Sequence, residues 1–270
     1  MTSMAFVSAR EKIQWARERL SVLDEECKRF LETKPYGHTR HFKNDGFEQE
    51  FQIQIRRTPP MDIPLLCGDV LHNARAALDH AVYGLAVEHL PILSARERGR
   101  LQFPIVGDLS EFREQKRRGR LFGVPARQRT EIQRLQPYYS TWPNVWLGLL
   151  AELDNVDKHR AVHIVAGAVQ WADASGLAGH EVTFRWAHPY LKEDGAEICT
   201  VFLVPPEANV EVEFMPQFHL VIESRQIRSE FLDDAATMLG HIVDAVTETL
   251  DCLETEPPDY QFLEHRGGPV

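Results

Sequence analysis

Residues 72–80, HNARAALDH, set His72, Asn73, Arg75, Asp79 and His80 around three alanines. An imidazole can accept a proton near neutral pH, a guanidinium can stabilise charge on phosphoryl oxygens, and an amide or carboxylate can orient both. At roughly 100° per residue on a helix, Asp69, Asn73 and His80 fall within about 40° of one another, flanked by His72, Asp79 and Tyr83. A solvated helix face is usually built from Glu, Lys, Arg and Gln. His, Asn and Asp are weaker helix formers, so their collection on one side marks a candidate site. Arg75 lies about 140° around the wheel from His80. The two meet only if the arginine curls around the helix edge or a second copy of the helix contributes across a symmetric interface.

A second constellation, NVDKHR, packs Asn155, Asp157, Lys158, His159 and Arg160 into the end of an apolar helix. Two arrangements are open. The cations can complement the helix C-terminus and its carbonyls, with no ligand involved. Alternatively the segment faces the first polar row, forming a cleft in which His72, Tyr83, Asn155, Asp157, Lys158, His159 and Arg160 contact a substrate. Phosphodiester transfer suits such a cleft, because a base must take a hydroxyl proton while cations stabilise the phosphoryl oxygens. A metal site is the competing chemistry, with His72, Asp79 or His80 joining Glu152, His159 or His163 around a divalent ion. HExxH and paired ExxH signatures are absent, and the expectation is no metal and no cofactor.

The elements that must position these groups are legible from periodicity. Residues 4–33 and 63–90 have the spacing of long amphipathic helices, and shorter helices are expected over 108–118, 125–136 and 142–160, with Asn144 a candidate cap. In the 63–90 helix, Leu66, Val70, Leu71, Ala74, Ala77, Leu78, Ala81, Val82 and Leu85 form the face that packs. FEQEFQIQIR at 47–56 alternates like a strand with one buried face. Val, Ile, Phe and Trp mark further strands at 161–171, 181–188, 196–204 and 209–223, and the Asp-Gly of LKEDG predicts a hairpin between the middle two. Helical spacing returns over 228–254.

The implied class is α+β: a helical bundle with an antiparallel β-sheet inserted before its last long helix. The expected division is a bundle with one early strand over 1–160, a β insertion over 161–224, a returning bundle helix over 225–255, and a tail over 256–270 with the composition of a mobile end.

Four dispersed cysteines form no CxxC pair, and no apolar run approaches a membrane span, so a reducing, cytoplasmic setting without membrane contact is the expectation. Glycine-rich phosphate loops and a GxSxG elbow are absent. The five tryptophans are simplest as core or interface residues, with Trp142 and Trp146 one helical turn apart. The formal charge of −10 argues against coating nucleic acid by bulk electrostatics, yet Arg96 to Arg134 holds eleven Lys or Arg against five acids, a local +6. Such a segment is either an ordinary solvated helical region or an edge that contacts phosphates.

RAALDH, an arginine and a histidine with four residues between them, resembles the signature of the HEPN superfamily, helical-bundle proteins that include metal-independent ribonucleases. The commoner pattern places a polar residue directly after the arginine, where this chain has Ala76. The resemblance implies a homodimer with its cleft between protomers, RNA as partner and a cyclic-phosphate product. His80 would be the general base and Arg75 the charge stabiliser, with Asn73 and Asp79 orienting. The pairing of CGDVLHNARAALDHAVYGLA with LDNVDKHRAV also resembles a recurring bacterial family, which implies shared architecture and little chemistry. A noncatalytic protein of the same fold, with its polar rows joined in a hydrogen-bond network or bound to a partner, and a metal-dependent phosphoester hydrolase are the alternatives.

Overall fold

Apolar spacing and end signals explain where the helices begin and stop. The computed structural model describes residues 4–44, 47–168, 181–187, 190–204, 212, 214, 216–224 and 233–255. A 3-10 turn at Met4–Phe6 leads into α1 (Val7–Glu32), and α2 spans Asp62–His89. The short α3 (Ala95–Arg98) starts on a capping box between Ser94 and Glu97. Asp108 caps α4 (Leu109–Arg117) by accepting the Glu111 N–H, and Pro125 precedes α5 (Ala126–Arg134). α6 covers Asn144–Asp157, and α7 (Ala235–Glu254) begins where Asp234 accepts the Ala236 and Thr237 N–H groups.

α2 is the central rod. Val70, Leu71, Ala74, Ala77, Leu78, Ala81 and Val82 are all completely buried, as the wheel predicts, and α2 packs on α1, α6 and α7. Among the described residues no helix is long and apolar enough to cross a membrane, and Cys27, Cys67, Cys199 and Cys252 are free thiols.

The strands are β1 (Tyr36–Lys43), β2 (Glu48–Ile55), β3 (Ile164–Ala168), β4 (Glu181–Trp186), β5 (Glu197–Val204) and β6 (Phe218–Ile222). They form two antiparallel sheets, one ordered β1-β2-β5-β4 and the other a β3-β6 pair. The expected α+β class and the 181–204 hairpin are both present, and Gly195 takes the positive φ its turn requires.

Three details correct the sequence expectations. The early region holds two strands, because the polar segment YGHTRHFK pairs with β2 along an edge where few side chains need burial. The inserted strands do not make one sheet of their own: β4 and β5 join β1 and β2, while β3 and β6 pair apart from them. Asn144 does not cap α6: Pro143 is the N-cap residue, while the Asn144 side chain donates to the Arg134 and Gln136 carbonyls at the end of α5. The expected extensions at 169–171, 188, 209–211 and 228–232 and the tail at 256–270 lie outside the described residues.

Candidate functional site

The polar row of α2 is divided among three surroundings. Asn73 is buried and its amide is occupied, donating to the Asp69 carbonyl at 2.7 Å and accepting from Lys12 Nζ at 3.1 Å. This ties α1 to α2.

Arg75 turns inward. It is only 9% exposed, and Nη2 donates to the Phe103 carbonyl at 2.6 Å and to Asp79 Oδ1 at 3.2 Å. Asp79 Oδ1 also accepts the Phe103 N–H at 2.8 Å. One arginine and one aspartate a helical turn apart therefore hold both backbone groups of a single residue in the segment between α3 and α4. The fully buried Gln136 braces that segment from the other side, accepting the Val106 N–H and donating to the Pro104 carbonyl. The Asp79 carboxyl is raised from its ordinary range because its surroundings strip it of water, a shift that Arg75 and the Phe103 N–H oppose.

His80 faces elsewhere. Nδ1 lies 2.8 Å from Ser8 Oγ on α1, and its second ring nitrogen has no hydrogen-bond partner among the described residues. It lines a crevice of about 780 Å³ with Met4, Ala5, Ser8, Asp79, Tyr83 and Leu101. Ser8 and Leu101 carried no signal in the sequence, because each reaches the crevice from a different element. Asp79 lies between the two, lining the crevice with His80 and meeting the Arg75 guanidinium.

The second constellation also divides. Asp157 lies over α2, its carboxylate occupying the space that a Cβ on Gly68 would need, 2.5 Å from Oδ1. Burial raises the Asp157 carboxyl above its usual range, Asp154 and Asp69 add to the effect, and His72 opposes it. Lys158 reaches back one turn to the Asp154 carboxylate at 2.6 Å, an ion pair along the helix and not a bond to its terminal carbonyls. His159 is exposed. Asn155 and Arg160 line a different and larger cleft of about 1210 Å³ with Glu152, His163, Glu223 and Ser224. There His163 Nδ1 is 2.6 Å from Glu223 Oε2, Lys192 pairs with the same carboxylate, and Ser224 Oγ donates to Glu152 at 3.0 Å. The expected single cleft between α2 and residues 155–160 is therefore replaced by a crevice, a carboxylate-rich helix contact and a separate polar cleft.

Among the described residues no group of three or more His, Cys, Asp or Glu is placed to hold a metal ion. No protein-family model, curated protein or solved structure matches the chain.

The raised Asp157 carboxyl gives a test of these electrostatics. A carboxyl whose folded value exceeds its unfolded one favours the protonated fold, so its contribution is present below the ordinary range and is lost as pH rises through the folded value. Asp157→Asn should consequently raise the melting temperature at pH 7, by an increment worth less than about 1 kcal/mol because the site is partly solvated. The gain should shrink as pH falls toward about 4. Melting curves across that range check it, and a variant that melts below wild type at pH 7 contradicts the placement.

Proposed function

We propose that the His80 crevice is the site of a metal-independent cleavage of RNA. The observation that carries this is the histidine itself: one ring nitrogen is held by Ser8, while the other is left for a ligand in a crevice that also presents Asp79 and Tyr83. In the tautomer in which Nδ1–H donates to Ser8 Oγ, Nε2 presents a lone pair and can serve as general base. It would take the proton of a ribose 2′-hydroxyl; the 2′-oxygen then attacks the adjacent phosphorus and the bond to the 5′-oxygen breaks. The leaving oxygen takes a proton from water, giving a 2′,3′-cyclic phosphate and a 5′-hydroxyl.

The structure supports a different role for Arg75 from the one the resemblance implies. Its Nη2 is engaged on Phe103 and Asp79, and a symmetric second copy would bring its own Arg75 in the same engagement. Arg75 is accordingly a positioning residue, and Asp79 shares that task while forming part of the crevice wall. A homodimer, if formed, would contribute walls to the crevice and no second free guanidinium from this position.

The experiment is an assay on mixed RNA in chelator. Wild type should yield fragments ending in cyclic phosphate, and His80→Gln, whose amide can still bond Ser8, should lose at least about 10²-fold in rate. Wild-type protein that cleaves nothing, or a His80→Gln variant that cleaves normally, overturns the proposal.

A second reading rests on the His163–Glu223 pair. A carboxylate on one ring nitrogen, with the second nitrogen unbonded among the described residues, is also a base arrangement, and it lines the larger cleft. The His163 side chain is 63% exposed and shares Glu223 with Lys192, whose hydrogen bond and that of His163 hold the Glu223 carboxyl low. That sharing favours a surface ion network. His163→Ala should leave cleavage unchanged; loss of cleavage there, with His80→Gln active, would move the chemistry to the larger cleft.

A further inference from the structure

The basic stretch from Arg96 to Arg134 converges on one point. Arg100, following α3, and Arg118 and Arg120, following α4, together line a notch of about 290 Å³. Its walls are tied by backbone and side chain: the Gln102 N–H donates to the Arg120 carbonyl at 3.1 Å, and Arg120 Nη1 donates to the Arg100 carbonyl at 3.3 Å.

The charges in it are only partly compensated, Arg100 feeling Glu97 from beyond ion-pair distance. Glu114 serves two guanidiniums at once, meeting Arg118 through Nε at 3.0 Å and Arg117 through Nη2 at 2.6 Å. Neither Arg100 nor Arg120 has a carboxylate within ion-pair distance among the described residues. Guanidinium stays charged at any working pH, so three of them around one small space form a binding arrangement for a compact anion. The chain as a whole carries −10, which makes this local excess harder to read as general surface charge.

We propose that the Arg100, Arg118 and Arg120 notch seats a backbone phosphate of a single-stranded polynucleotide. Two features favour a strand over an isolated anion. Phe122, two residues beyond Arg120, is 43% exposed and offers a ring on which a base can stack. Arg100 is also followed directly by Leu101, which lines the His80 crevice, so the same short segment borders both sites. Strand binding at the notch does not depend on cleavage at His80.

The test is fluorescence anisotropy with a labelled oligouridylate of about twelve nucleotides, using protein that carries His80→Gln so that the probe stays intact. Replacing Arg100, Arg118 and Arg120 together by Gln should weaken binding about tenfold or more, and should reduce the slope of log affinity against log salt by about 0.7, the contribution of one single-strand phosphate contact. Arg100→Glu alone, at an exposed position, should weaken binding in the same direction even if the triple variant folds poorly. Arg96, Arg113 and Lys116 replaced together by Gln serve as the control outside the notch and should have the smaller effect. Inorganic pyrophosphate should compete with the probe. Equal losses in notch and control variants, unchanged binding in both notch variants, or binding to phosphatidylserine vesicles without binding to the oligonucleotide would overturn the proposal. Binding that persists with His80→Gln and fails in the notch variants, whatever the cleavage assay shows, keeps the two sites distinguishable.

Discussion

Arg75→Ala is expected to destabilise the fold by about 3–5 kcal/mol, the range for breaking a buried pair by removing one partner. The loss has two parts. The Phe103 carbonyl is left without its donor, and Asp79, already raised in pKa by desolvation, loses the cation that offsets it. Arg75→Lys should recover little, because an ammonium cannot reach a carbonyl and a carboxylate with the planar fork of a guanidinium. Hydrogen exchange localises the effect: the Phe103 amide, bonded to Asp79 in wild type, should lose protection in both variants before the α2 core does. A double-mutant cycle with Asp79→Asn should show strong non-additivity, since both substitutions release the same segment. Additive effects, or an Arg75→Ala protein as stable as wild type, would mean that the guanidinium does not hold this segment.

Gly84→Ala should cost about 2 kcal/mol or more, even though alanine is the better helix former by about 1 kcal/mol. A Cβ at Gly84 would overlap the Ala5 carbonyl oxygen and lie 2.7 Å from the Ala5 carbonyl carbon, and backbone cannot swing aside as the end of a side chain can. The N-terminal turn would have to lift from α2, taking Met4, Ala5 and Ser8 away from the crevice and breaking the Ser8–His80 contact. RNA cleavage should therefore fall with stability. The same substitution at Gly240, inside α7, meets only Leu20 Cδ2 at 3.8 Å and should stabilise by up to about 1 kcal/mol. Thermal melts of the two variants should move in opposite directions; parallel shifts would show that helix propensity, and not the close approach of Ala5, decides both.

The helices were legible because their signals are local. Pro137 follows α5 and the apolar arc of α2 packs as its spacing requires, whereas α7 starts at its Asp234 cap, inside the span read as helix from 228. β1 was not legible, because an edge strand with polar side chains offers no alternation to read. Nor was the β2–β5 ladder, which joins segments nearly 150 residues apart through backbone groups that every residue possesses.

The site was legible in its parts and not in its assembly. A wheel places Arg75 on the opposite side of α2 from His80, and the structure keeps them apart. The partner of Arg75 is a main-chain carbonyl 28 residues away, which no side-chain pattern encodes. Lys12, Ser8 and Leu101 likewise enter from other elements, so the expected common polar face became separate contacts. The arginine notch left a partial signal in the +6 balance of residues 96–134, but charge counting cannot say which three of eleven cations converge.

Two residues of α2 divide the labour, and melting and RNA cleavage recorded side by side for His80→Gln and Arg75→Lys test that division most directly. His80→Gln should melt within about 3 °C of wild type, having lost at most one hydrogen bond, while its cleavage falls at least about 10²-fold. Arg75→Lys should melt well below wild type and cleave in proportion to the fraction still folded. Undiminished cleavage by His80→Gln, or an Arg75→Lys protein with wild-type melting and no cleavage, would contradict the account.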